Sequence, residues 1–225
     1  MKLLTSLLIS SIALISLNAQ SIFIENGKSI SGFEFENSQQ EPLENLHTKT
    51  KTYISIGYEH ELKKIKNLNI QLGLTHNSYG ANGSDGIFNN YFEWDVDYLG
   101  LQLMFKYILV DKNNWDIFLR LGASAELFLK GNQTINNQVL DLKGVEEFDN
   151  TAFFIRSGLG ASYRISTNTK LYISYTHGQS FELKDDSFVS WSGTNQQLSK
   201  EALRILNNQF GIGLIFNLQE KNCCP

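Results

Sequence analysis

The chain has 225 residues, 42% hydrophobic, 12% aromatic and 19% charged, with 17 Gly but only two Pro, two Met and two Cys. That composition excludes a collagen-like, low-complexity or disulfide-framework protein, and the length suits one all-β domain or two small ones, with one domain the default expectation. A formal charge of -4 and two adjacent cysteines at the extreme C-terminus supply neither a basic nucleic-acid surface nor a zinc-ligand cluster.

Met1 and Lys2 precede an apolar run from Leu3 to Leu17, followed by Asn18-Ala19-Gln20. One positive charge, about 15 apolar residues and a small residue before a polar one form a Sec-type signal peptide, with cleavage expected after Ala19. Residues 1–19 are therefore expected to be a leader, 20–218 a single domain and 219–225, with Cys223 and Cys224, a short tail. No second apolar stretch is long enough for a membrane helix. The remaining choices are a soluble exported protein and a β-barrel, the other structure that satisfies its backbone in lipid.

From about residue 50 the periodicity is two, the signature of strands. Ile54 to Glu59 and Leu68 to Thr75 are short examples, and Tyr98 to Leu109 extends the pattern. The clearest case is Trp115 to Leu129. There Trp115, Ile117, Leu119, Leu121, Ala123, Ala125, Leu127 and Leu129 share one face, opposite Asp116, Phe118, Arg120, Gly122, Ser124, Glu126 and Phe128. Phe153 to Ile165, Leu171 to Thr176 and Gln209 to Leu218 repeat it. With a weaker first strand in Ile22 to Phe35, the count is eight.

Connections alternate in length. Leu62 to Asn67, Val110 to Asn114 and Ser166 to Lys170 read as short turns, whereas 37–48, 79–92, 131–150 and 183–203 read as long polar loops. Short turns at one end and long loops at the other predict an all-β, eight-stranded antiparallel up-and-down barrel.

Gly57, Gly73, Gly100, Gly122, Gly158, Gly160, Gly178, Gly211 and Gly213 all fall on the polar face. Glycine weakens a solvent-facing strand, but small residues are needed inside a narrow barrel filled by its own side chains. The polar face is thus read as the lumen, and the barrel as transmembrane. Glu59, Lys106, Asp116, Arg120, Glu126, Arg156 and Arg164 then form a lumen network in which opposite charges pair. On the apolar face Tyr58, Tyr107, Trp115, Tyr163 and Phe216 lie beside the short turns or the C-terminus, as expected of an interfacial aromatic girdle.

The leader ending in Asn18-Ala19-Gln20, the alternating strands and the contrast of long loops with short turns resemble the small outer-membrane β-barrels of Gram-negative bacteria. The resemblance covers residues 20–218 and is to the porin-like outer membrane protein beta-barrel domain group common in Bacteroidetes. Such proteins commonly end on an aromatic residue; Phe216 stands in that place here, with nine residues after it. The resemblance implies a cell outer-membrane location and insertion by the barrel assembly machinery among outer-membrane lipid. It also implies a structural, adhesive or binding role through extracellular loops that meet a ligand or protein, with no cofactor, no metal and no catalysis.

Two other readings compete. Thr75-His76-Asn77-Ser78 puts His76 and Ser78 on one face, with Asp95 and Asp97 of matching parity on the next strand, a pattern similar to that of lipid A deacylases. A soluble periplasmic barrel of lipocalin-like shape would turn the apolar face inward instead. His47 is expected in a loop, and His60 and His177 at the membrane interface.

Overall fold

The computed structural model describes residues 21–36, 45–62, 64–85, 90–144, 151–184 and 202–218. The leader and the cysteine tail lie outside these residues. Eight long strands are β1 (Ser21–Glu36), β2 (Leu46–Glu61), β3 (Leu68–Asp85), β4 (Asn90–Lys112), β5 (Trp115–Ile135), β7 (Ala152–Arg164), β8 (Thr169–Ser180) and β10 (Ala202–Asn217). Two short strands, β6 (Gln138–Asp141) and β9 (Leu183–Lys184), pair with β5 and β10. Every pairing is antiparallel, and β1 also pairs with β10, so the eight long strands close into a ring.

The closure has a definite stagger. Walking across paired partners from Trp115 leads through Tyr163, Leu171, Leu214, Ile24, Ile56, Leu74 and Leu101 to Ala125, ten residues farther along β5. A barrel with this shear tilts its strands by about 35–45° to its axis. Every stop on the walk is apolar, and Ile24, Ile56, Leu74, Leu101, Leu171 and Trp115 are all exposed. An unbroken apolar spiral thus wraps the outside. A lipocalin-like barrel requires these side chains inside, so the soluble arrangement is inconsistent with this fold.

Tight turns close the other end. Asn113 has φ 58° in the two-residue link between β4 and β5, and Asn67 has φ 67° just before β3. Asparagine tolerates this left-handed region better than most residues, which suits short hairpins of this kind.

The four long loops expected from composition are shorter than predicted. β2 begins at Leu46, β3 runs to Asp85, β4 starts at Asn90, and β5 reaches Ile135 before turning through Asn136 and Asn137, both at positive φ, into β6. His47 accordingly sits in β2, opposite Asn82, and not in a loop. The outward residues of these segments are mostly polar because they stand above the lipid, while Tyr79 and Ala81 still face the interior. Polarity was the cue for a loop, and it hid the strands. Register shifts between Thr48 and Tyr53, and at Asp97/Tyr98, also break the alternation there.

Candidate functional site

Inside the ring, side chains on the polar parity meet across the lumen. Toward the short-turn end, Lys106 Nζ donates to both carboxylate oxygens of Glu59 at 3.1 Å. Asn69 and Gln71 donate to the same carboxylate at 2.6 and 2.7 Å. Asp116 accepts from Ser162 at 3.0 Å and pairs with Lys170. Phe23, Phe118, Tyr172 and Ile215 form an apolar cluster beside these pairs, and the Lys106 ammonium lies 4.7 Å from the Phe118 ring centre.

Higher in the lumen, Arg120 Nη1 donates to Glu25 at 2.9 Å and its Nη2 to Thr176 at 2.9 Å. Tyr53 and Ser174 also donate to Glu25, at 2.6 and 3.1 Å. Above this pair, Glu126 accepts from Asn77, Tyr79 and Ser124 at 2.9, 2.9 and 2.8 Å and pairs with Arg156. Arg156 donates further to Ser124 and Gln209 and stacks 5.0 Å from the Phe154 ring. Ionised groups this deeply buried are held by the opposite charge and by hydrogen bonds, which the surrounding hydroxyls and amides supply, although Arg120 Nε is left without a partner.

The inward glycines make room for these groups. A Cβ at Gly160 would stand 2.4 Å from the Phe118 ring, one at Gly213 2.3 Å from Tyr172, and one at Gly100 2.7 Å from Glu126. What space is left between Glu25, Arg120, Arg156, Ser55 and Gln102 is a cavity of about 10 Å³, room for roughly one water. The mouth opposite the short turns is then filled by Phe33, Tyr79, Val96, Tyr98, Phe154 and Ile205, with Leu142 and Leu183 folded in beside them from the ends of β6 and β9.

Of the seven residues expected in the lumen, Glu59, Lys106, Asp116, Arg120, Glu126 and Arg156 are buried there. Arg164 is not: it is the last residue of β7, exposed at the rim, its backbone N–H bonded to the Asn114 carbonyl. Parity pointed it inward, but the strand ends before the lumen can enclose it. Glu25, Tyr53 and Lys170 were missed. Glu25 follows three residues that look apolar on both faces, and Lys170 ends the polar stretch Ser166 to Lys170 that reads as a turn. The extension of Ser55 and Gly57 by one further inward step was the available signal for Tyr53.

On the outer wall, Ser78 lies opposite Asp97 and His76 opposite Leu99. No hydrogen bond among the described residues joins His76, Ser78 and either aspartate. Asp97 faces Lys130 at 3.5 Å, and Asp95 is held by Lys49 at 2.6 Å and by Lys51. Partial desolvation opposes the charge on Lys49, yet its bonds to Asp95 and Glu93 raise the ammonium pKa above its ordinary value. The aspartates thus serve lysines and not the histidine, and a nucleophilic triad is not assembled.

A closed ring of eight tilted strands, ionised within and apolar without, defines a transmembrane β-barrel. The family model described as "Outer membrane protein beta-barrel domain" matches residues 11–217, and the chain belongs to that family of outer-membrane proteins. Among solved structures it is similar to Neisserial surface protein A, at 10% identity and a TM-score of 0.45, over 87% of this chain and 97% of that one. It is also similar to OprG from Pseudomonas aeruginosa, at 11% identity and a TM-score of 0.48, and to the protease OmpT from Escherichia coli, at 9% and 0.47. Each of these two likenesses covers 89% of this chain and 97% of the other. A search of curated proteins finds no match.

Proposed function

We propose that this outer-membrane barrel is exported by the leader at residues 1–19, inserted by the barrel assembly machinery, and acts as a non-catalytic binding or adhesive element through its extracellular side. The observation that carries the reading is the height of its wall. A tilted strand needs about 9–11 residues to cross a bilayer, whereas β3, β4 and β5 have 18, 23 and 21. Their surplus, with β6, builds a rigid sheet above the lipid. It presents Tyr91, Val139 and Leu140, all exposed. Exposed apolar side chains on a projecting rigid element suit recognition of another molecule. The filled lumen supports a role outside the barrel over transport through it.

Deleting the tip hairpin, residues 133–140, tests this. Cells displaying the shortened barrel are expected to lose attachment to host-cell or matrix surfaces that the full chain supports, with heat-dependent gel mobility retained. Equal attachment by both forms would remove the projecting sheet from the function.

A further inference from the structure

The apolar wall is lopsided, and its short side carries a polar notch. Ser157 lies opposite Leu121, His177 opposite Ser157, and Asn208 opposite His177. Each step round the ring climbs by roughly one residue, because eight steps gain ten. This puts His177 and Asn208 about 20–25 Å above Trp115, level with Leu101 and Ala125 across the barrel. On β4 and β5 the outward apolar run continues upward through Leu99, Leu127 and Leu129, all exposed. On β8, β10 and β1 it is interrupted at this level by His177, Asn208 and Lys28, with Ile30 directly opposite Asn208.

These groups are arranged together. Asn208 Oδ1 accepts from Tyr175 OH at 2.7 Å and lies 3.0 Å from His177 Nδ1. Lys28 sits opposite Phe210, one diagonal step from Asn208, a separation of about 7–8 Å that a lysine side chain spans. Lys28 and His177 are both exposed, and Lys28 forms no ion pair among the described residues. The outward carboxylates on this side, Glu34 and Glu182, lie farther up, where Glu182 accepts from Arg204. On the opposite wall Glu93, Asp95 and Asp97 are matched by lysines. The notch is therefore a part of the upper wall where Lys28 stands without an acid partner among the described residues, at lipid-headgroup depth.

We infer that the notch formed by Lys28, His177 and Asn208 binds the phosphate of an anionic membrane lipid, drawing a headgroup down against this side of the barrel. An ammonium that swings on a long stem and the amide N–H of Asn208, whose Oδ1 is already engaged by Tyr175 and His177, can donate to a phosphate, while Phe210 and Ile212 below offer a surface for its acyl chains. The chemistry on the page favours a lipid over a second copy of the chain, because two copies facing each other here would oppose like charges.

Native mass spectrometry of the full chain, released from micelles doped with phosphatidic acid or with diacylglycerol carrying the same tails, tests the site. The wild type is expected to retain phosphatidic acid over diacylglycerol. Replacing Lys28→Gln and His177→Gln together should lower that retention roughly tenfold, whereas Lys130→Gln on the opposite wall leaves it unchanged. Asn208→Ala alone should lower it by a few-fold. Heat-dependent gel mobility confirms that each variant is folded. Equal retention of the two lipids, retention unaffected by the double substitution, or a chain dimer lost in that variant would overturn the inference.

Discussion

Leu121→Arg is the most direct test of which face meets lipid. Leu121 is 59% exposed and six residues above Trp115 on β5. At about 3.4 Å per residue and a tilt of about 40°, it sits roughly 15 Å above the aromatic girdle, within a few ångströms of the middle of a band about 25 Å tall. A guanidinium at that depth costs about 2–4 kcal/mol. The folding equilibrium should therefore fall by roughly thirty- to a thousandfold. Val139→Arg is the matched control. Val139 is 65% exposed but stands on β6 above the bilayer, so the same charge there should cost close to nothing. The assay is equilibrium urea unfolding from vesicles, followed by Trp fluorescence and by heat-dependent gel mobility. An unchanged midpoint for Leu121→Arg, or equal losses for the two variants, would refute the orientation of the wall.

Three further outcomes follow from the lumen and the outer face. Glu126→Gln leaves Arg156 buried without its counter-charge and should destabilise the barrel by about 3–5 kcal/mol, while Glu126→Leu combined with Arg156→Met should recover much of that loss in a double-mutant cycle. Gly160→Leu forces a side chain into the Phe118 ring and the Ile173 carbonyl, so the unfolding midpoint should drop by the equivalent of about 1–3 kcal/mol or more; a neutral result would contradict a packed lumen. Ser78→Ala should leave lipid A mass spectra unchanged, and altered spectra would revive a lipid-modifying activity on this wall.

Much of the architecture was legible in particular residues. The run Trp115 to Leu129 announces a strand with one dry face, because a period of two matches the pleat and nothing else in the menu of regular structure. Nine glycines on the polar parity point to a crowded interior, since glycine is useful in a strand where neighbours need its space. Less legible were the ends. The segments 79–92 and 131–150 read as loops because they are polar, yet β3, β4 and β5 continue into them, where water replaces lipid and the apolar alternation has no reason to persist.

Sequence by itself determined the strand periodicity, which depends only on local alternation, and, through the glycines that share the polar face, the side that faces lipid and most of the ionised residues that fill the lumen. Which carboxylate meets which cation was decided by tertiary structure alone. Glu25 and Arg120 are 95 positions apart, and Lys170 reaches Asp116 across 54. Their meeting depends on the ten-residue stagger with which the ring closes and on bulges that shift register, and no local pattern encodes either. The same closure left Arg164 at the rim and made one flank of the wall shorter than the other.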